Sequence, residues 1–172
     1  MIIRPATESD IPAVAAIKVE SWRHAYRGLV PDAVLGAMTP EEVRRQWLGT
    51  DVASFADSVL VADRADGIAG YAMFGPVRDA APGYDGQLYA IYLRPAAMRN
   101  GIGGALFRAA SAGLRARGHA KFLLWVFEAN SAARRFYERQ GGILISGAQV
   151  VTEIGGAHLR ELAYGFPAAG AV

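Results

Sequence analysis

The feature that most constrains the fold is an uninterrupted succession of strand, glycine-rich loop, helix and strand in the second half of the chain. Residues 87–93 predict the first strand, and the nearly continuous apolar run at residues 121–127 is typical of a central strand. Between them, apolar residues recur at helical spacing from Ile102 to Leu114, and Gly118 ends the helix. Two strands joined by such a crossover run parallel in one sheet, so the segment predicts an α/β fold.

The residues before this segment predict a strand and two helices. Residues 1–5 are expected to form a short strand, and either Thr7 or Ser9 can cap the helix that follows. A second helical region begins at Thr39, because this threonine is followed by a proline and then by a glutamate three residues after the cap. The second helical region extends to about Trp47.

Hairpins flank the central segment in the sequence. Residues 58–63 and 68–74 are rich in valine and aromatic residues and enclose an Asp-Gly turn. After the central segment, a short helix is predicted at residues 131–140, and late strands at 143–153 and 158–166 meet at a Gly-Gly pair. The hairpins extend the predicted parallel pair into a mixed, mostly antiparallel sheet.

Composition restricts the class of protein. The chain is 52% hydrophobic and 20% charged, which fits one globular domain over residues 1–172. No apolar run approaches the roughly 18 residues that span a bilayer, and the first residues lack the basic and apolar regions of a signal peptide. We therefore expect a cytoplasmic protein with no membrane partner. The chain has no cysteine and its three histidines are scattered, so we expect no metal site.

Charge is distributed unevenly along the chain. Residues 94–139 hold nine lysines and arginines against two glutamates, whereas residues 1–93 lean acidic. The basic segment is suited to an anionic ligand, although arginines that merely solvate exposed helix faces explain the charge equally well. A nucleic acid partner is not expected, because no basic run carries interleaved aromatic residues.

The glycine-rich loop lies where the first central strand gives way to the helix. A helix start offers unpaired backbone N–H groups and the positive end of the helix dipole, both of which suit a phosphate. The loop is not a dinucleotide fingerprint, which needs a glycine at Leu106 and an acidic residue near Lys121, and it lacks the Gly-Lys-Ser/Thr of a P-loop. A tight turn without a ligand stays open as an alternative. The loop residues are Arg99, Asn100, Gly101, Ile102, Gly103 and Gly104.

A second motif lies downstream, where Asn130 begins the segment Asn-Ser-Ala-Ala-Arg-Arg-Phe-Tyr-Glu-Arg-Gln-Gly. Together with the sequence Leu-Tyr-Ala-Ile-Tyr-Leu-Arg-Pro at residues 88–95 and the glycine-rich loop, this motif resembles the GCN5-related N-acetyltransferase (GNAT) superfamily. The resemblance is specific over residues 87–141 and looser elsewhere. Two positions depart from the family pattern. Met98 stands where the loop commonly begins with glutamine or arginine, and Gly142 stands where an aromatic residue is usual.

The resemblance implies an enzyme with helices on both faces of its sheet and a central parallel strand pair splayed to admit acetyl-CoA. It implies that the loop amides hold the pyrophosphate, that backbone groups of the first central strand pair with the pantetheine arm, and that Asn130 hydrogen-bonds this arm. Tyr137 would stand near the sulfur, with a core aromatic role as the alternative. The implied strand residues are Ile91, Tyr92 and Leu93.

The implied reaction moves the acetyl group directly to the amine of a small molecule or a peptide in a ternary complex. The chain has no cysteine nucleophile and no Gly-x-Ser-x-Gly elbow, in line with a reaction that forms no acyl-enzyme. Tyr137 would give the departing thiolate a proton, since its neutral hydroxyl is a usable donor. A non-catalytic acyl-CoA-binding or sensor module is the alternative. Dimers are common among similar proteins, so a homodimer is a candidate assembly.

The sequence does not assign the general base. Many relatives carry a glutamate near the start of the central strand, and Gln87 stands there instead. Glu20, Asp85, His24 or a water relay remain as candidates. Four aromatic residues are candidates to line the amine pocket, with core packing as an equal alternative, and the first two share a helix face. They are Trp22, Tyr26, Tyr89 and Tyr92.

Overall fold

The computed structural model describes residues 1–48, 58–78 and 83–166, and the strands in these ranges form one seven-stranded sheet. The strands are β1 (Ile2–Pro5), β2 (Val59–Arg64), β3 (Gly67–Pro76), β4 (Gly86–Leu93), β5 (Phe122–Phe127), β6 (Ile143–Ile154) and β7 (Ala157–Phe166). Their order across the sheet is β1-β2-β3-β4-β5-β7-β6, and β4 with β5 is the parallel pair. The other neighbouring pairs are antiparallel, so the predicted mixed, mostly antiparallel sheet is confirmed.

The predicted helices are also present, with a short additional helix between the first two. The helices are α1 (Ile11–Ala25), α2 (Asp32–Ala37), α3 (Pro40–Leu48), α4 (Ile102–Ala116) and α5 (Ser131–Arg139). None of the helices in the described ranges combines the length and the hydrophobicity that a membrane span requires.

Helices α1 and α4 lie on opposite faces of the sheet, because successive side chains along a strand point to opposite faces. Tyr71 of β3 is buried in a cluster with Ile17 of α1. Its neighbour Ala72 is buried in a second cluster with Leu106 and Leu114 of α4. The crossover from β4 through α4 to β5 therefore covers one face, and the N-terminal helix covers the other.

The turn between β1 and α1 is organised around Asp10 rather than by a simple threonine or serine cap. Arg4 donates hydrogen bonds to both carboxylate oxygens of Asp10, at 2.7 and 3.0 Å. The backbone N–H and the hydroxyl of Thr7 donate to the same carboxylate at 2.8 and 2.9 Å. These hydrogen bonds, above all those from Arg4, lower the pKa of Asp10 to about 2. The start of α1 is thus held by a buried, ionised carboxylate.

The parallel strands β4 and β5 separate soon after they begin. Their described pairing is limited to Gly86 with Phe122 and Gln87 with Leu123. Beyond these positions β4 stays paired with β3 as far as Leu93, and β5 stays paired with β7 along its whole length. The sheet is therefore split between β4 and β5 on the side where α4 begins, as the splayed pair in the sequence prediction requires.

Candidate active site

A cavity of about 790 Å³ lies at the gap between β4 and β5. Ile91 and Leu93 of β4 pack toward the cluster beneath α4, whereas Tyr92 packs toward the cluster beneath α1, and all three border the cavity. On β5, Val126 belongs to the α4 cluster, whereas the ring of Phe127 contacts that of Tyr26, the residue that follows the last residue of α1. The cavity is therefore lined from both faces of the sheet.

The glycine-rich loop turns sharply into α4 beside this cavity. Arg99 and Gly101 have positive φ angles of 62° and 75°, a conformation that glycine adopts at little cost. Gly103 lines the cavity, and a Cβ added there would lie 3.4 Å from the ring of Phe136 and 3.6 Å from Leu93. The first N–H groups of α4 have no carbonyl partner within the helix, as at any helix start. Backbone N–H donors therefore lie next to the part of the cavity wall where Gly103 contributes no side chain.

The other predicted loop residues are placed less directly. Of the six loop residues, Gly103 is the one that borders the cavity. Met98, which precedes the loop, borders it as well. Asn100 and Ile102 border a separate, more open pocket. Arg99, Gly101 and Gly104 belong to neither lining.

Helix α5 places both predicted motif residues at the cavity. Asn130 caps the helix, because its Oδ1 accepts a hydrogen bond from the backbone N–H of Ala133 at 3.1 Å. Asn130 also borders the cavity, and because Oδ1 is engaged, Nδ2 is the part of its amide that can serve a ligand. Tyr137 is buried at the cavity wall, and this burial raises the pKa of its hydroxyl. The phenol is therefore neutral at physiological pH.

The structure separates the candidate bases. Glu20 is engaged in an ion pair with Arg94 outside the cavity. Asp85 accepts hydrogen bonds from the backbone N–H groups of Ala120 and Lys121, which fixes the start of β5. His24 borders the cavity.

Gln87, the residue that replaces the glutamate of many relatives, is buried at the closed end of the strand gap. Its Oε1 accepts a hydrogen bond from the backbone N–H of Arg78 at 3.0 Å. The side chain borders the cavity and at the same time ties the chain after β3 to β4.

The four aromatic candidates for the amine pocket all border the cavity. Trp22 and Tyr26 are one helical turn apart, since the backbone N–H of Tyr26, the C-terminal cap of α1, donates to the carbonyl oxygen of Trp22 at 3.0 Å, and their rings are in edge-to-face contact with centroids 4.9 Å apart. The ring of Tyr26 is in turn 5.1 Å from that of Phe127. The indole N–H of Trp22 donates to the hydroxyl of Tyr92 at 3.0 Å. These contacts build an aromatic wall on the α1 side.

Two polar residues of the late strands also border the cavity, and the sequence analysis did not single them out. Thr152 of β6 donates a hydrogen bond from its hydroxyl to Oε1 of Glu161 on β7 at 2.6 Å. The Gly-Gly turn is a sequence signal that could have placed them on one face of the sheet. A hairpin closed at that turn pairs Val150 with Glu161, and Thr152 lies two residues from Val150, on the same face of β6.

The family position after the α5 motif is explained by packing. A Cβ added to Gly142 would lie 2.8 Å from the ring of Phe166 and 2.9 Å from the carbonyl oxygen of Tyr137. In this chain, Phe166 of β7 therefore occupies the space that an aromatic ring at position 142 would need. Among the described residues, no group of three or more His, Cys, Asp or Glu side chains could hold a metal ion.

A model of the acetyltransferase (GNAT) family matches residues 19–142, which include the strand gap, the glycine-rich loop and α5. The protein is a GNAT acetyltransferase. This confirms the resemblance stated from the motifs, and it makes the protein an acetyl-CoA-dependent N-acetyltransferase. It is 33% identical to the uncharacterized N-acetyltransferase YuaI of Bacillus subtilis over 96% of this chain and 92% of that protein.

Solved structures share the fold of this GNAT acetyltransferase. A ribosomal-protein-alanine N-acetyltransferase from Brucella melitensis is similar with a TM-score of 0.76 and 26% identity, over 97% of this chain and 99% of the other. The PaiA N-acetyltransferase of Thermoplasma acidophilum, solved in complex with coenzyme A, has a TM-score of 0.69 at 19% identity, over 94% of this chain and 96% of the other.

Proposed function

We propose that this GNAT acetyltransferase moves the acetyl group of acetyl-CoA directly to a primary amine while both substrates are bound. The observation that carries the proposal is the cavity at the β4–β5 gap, which is lined from both faces of the sheet. Two substrates can approach such a cavity from opposite faces and meet at the gap. The cytoplasmic location, the homodimer, the single domain over residues 1–172 and the absence of a metal remain predictions.

The residues on the α4 side fit acetyl-CoA. Beyond Gln87, β4 has no β5 partner, so its edge around Ile91, Tyr92 and Leu93, where the Leu93 carbonyl also accepts a hydrogen bond from Ser21, can pair with an extended amide-containing arm. The N–H groups at the start of α4 and the missing side chain of Gly103 suit a diphosphate. Nδ2 of Asn130 would donate to the arm. We propose that residues 99–104 hold the diphosphate mainly through backbone groups.

Tyr137 is proposed to act on the leaving group. In the transfer, the amine nitrogen forms a bond to the carbonyl carbon, the carbon–sulfur bond breaks, and the thiolate takes a proton. Burial raises the pKa of Tyr137, so its hydroxyl is protonated at neutral pH and can donate to the sulfur as negative charge develops there. Preorganised backbone N–H groups on the free edge of β4 would stabilise the oxyanion.

Replacing Tyr137 with phenylalanine tests this role. We expect Tyr137→Phe to lower kcat by about ten- to a thousand-fold, because a lost general acid has effects of this order. The dissociation constant for acetyl-CoA should hardly change, since the proposed binding groups are untouched. Thiol release from acetyl-CoA with a panel of amines measures the first quantity, and calorimetric titration measures the second.

Tyr84→Phe is the matched control, because it removes a phenol hydroxyl that does not border the cavity. Full activity of Tyr137→Phe would show that the acid role is wrong. Tight binding of acetyl-CoA by the wild-type protein without turnover of any amine would instead favour a non-catalytic acyl-CoA sensor.

A further inference from the structure

The α1 side of the cavity contains a carboxylate that the proposed reaction has not yet used. Glu161 lies on β7, directly across from Phe127 of β5 and Val150 of β6. It is half-buried and borders the cavity. Oε1 accepts a hydrogen bond from the hydroxyl of Thr152, which fixes the orientation of the carboxylate and leaves Oε2 available to a ligand.

Glu161 is distinguished from the other acidic residues by its surroundings. Among the described residues that border the cavity, it is the one carboxylate. Asp10 and Glu20 are neutralised by arginine partners, whereas the ion pairs of the described chain do not include Glu161. A carboxylate held at a cavity wall without a cationic partner is suited to a cationic ligand.

The carboxylate is also near the residues of the proposed chemistry, because Glu161 pairs with Phe127 across β7 and β5 and the ring of Phe127 is 5.1 Å from that of Tyr26. The pKa of Tyr26 is raised first by burial, and then by interactions with Tyr92, Tyr137 and Glu161. The hydroxyl of Tyr26 is therefore within electrostatic range of both the proposed acid and this carboxylate. A group bound between them would lie at the strand gap.

We propose that Glu161 binds the protonated nitrogen of the amine substrate and accepts its proton, and that this substrate is a compact alkylammonium. The inference rests on the proposed function. The rings of Trp22, Tyr26 and Phe127 beside Glu161 present faces and edges suited to a desolvated cation with a small apolar substituent. Thr152 acts as a positioning residue through its hydrogen bond to Glu161.

The proton transfer balances without a further reactant. One N–H bond of the ammonium breaks, its electron pair stays on nitrogen as the nucleophilic lone pair, and the Glu161 carboxylate becomes a carboxylic acid. That acid returns the proton to water after the product leaves.

A pair of amines of equal size tests the inference. Butylamine is an ammonium at neutral pH, whereas O-propylhydroxylamine has a neutral nitrogen and needs neither a cation site nor prior loss of a proton. We expect Glu161→Gln to lower kcat/KM for butylamine by about a hundred-fold or more, and for O-propylhydroxylamine by less than about three-fold. Thr152→Val should lower the butylamine value by a few-fold with the same selectivity.

Equal losses for both amines, or no loss for either, would overturn the role of Glu161, because a structural defect does not distinguish a cation from a neutral amine. The selective loss in His24→Asn rather than in Glu161→Gln would overturn it in favour of the histidine. Wild-type protein that binds acetyl-CoA but acetylates neither probe would overturn the substrate class. Wild-type protein that does not bind acetyl-CoA in calorimetry would contradict the proposed function itself.

Discussion

Replacing Gly103 with alanine separates the proposed cofactor site from the stability of the fold. An added methyl group would meet Phe136 at 3.4 Å and Leu93 at 3.6 Å, which is van der Waals contact rather than a clash. Gly103 lies in α4 and is not one of the glycines with positive φ, so alanine fits its backbone. Alanine is favoured over glycine inside helices by up to about 1 kcal/mol. We therefore expect the free energy of unfolding to stay the same or to rise.

The same methyl group should weaken the binding of acetyl-CoA. Gly103 borders the cavity, and in the proposed binding mode its lack of a side chain lets a phosphate oxygen approach the N–H groups of α4. The loss of one hydrogen bond to a charged group costs about 1.5–3 kcal/mol. This corresponds to about ten- to a hundred-fold weaker binding. Calorimetric titration with acetyl-CoA measures the affinity, and urea unfolding measures the stability.

Gly36→Ala is the matched control, because it also adds a methyl group to a helix, but nothing lies within 4 Å of the new Cβ and the residue does not border the cavity. It should bind acetyl-CoA as the wild-type protein does. If Gly103→Ala also binds with wild-type affinity, the loop does not approach the cofactor and the argument is refuted.

Two further predictions concern stability. Asp10→Asn should lower the free energy of unfolding at neutral pH by about 2 kcal/mol, since hydrogen bonds from Arg4 and Thr7 lower the pKa of Asp10 from 3.8 to about 2. Because the folded-state pKa of Asp10 is depressed, this stabilisation is complete above the unfolded-state pKa and is lost as the pH falls toward 2. Urea unfolding at several pH values should show the free energies of unfolding of the two proteins converging at low pH. A difference that stays constant with pH would contradict this linkage. Gly142→Ala should destabilise the protein by about 1–3 kcal/mol through overpacking against Phe166, and a smaller ring partner in Gly142→Ala/Phe166→Leu should recover part of the loss in thermal unfolding.

The sequence predicted the framework well because its local signals and its packing agree. The apolar face of α4 is the face that is buried, with Leu106 and Leu114 inaccessible to solvent. The run at β5 is apolar because α4 covers one of its faces and other side chains fill the opposite one. The sequence did not predict the short helix α2, because its six residues span less than two helical turns and show no clear periodicity.

The α4 side of the site was predictable from local motifs, whereas on the α1 side the sequence offered aromatic candidates but not the carboxylate. Gly103, Asn130 and Tyr137 belong to local motifs, so the sequence identifies them together, and the structure brings them to the same cavity. Thr152 and Glu161 come from different strands whose alternating polar residues look like an exposed face. The Gly-Gly turn fixes the register of their hairpin, but the position of β7 beside β5, which brings the pair to the cavity, is not specified by any local pattern.

The two strands that separate at the gap are each paired with another strand on their far side, β4 with β3 and β5 with β7. Neither can swing across the opening unless a whole ladder of backbone hydrogen bonds is first broken, and such ladders are among the last parts of a protein to open. We therefore expect the width of the gap between β4 and β5 to stay constant in the folded protein. Movement at the cavity should be limited to side chains that border it, such as those of Trp22 and Tyr26.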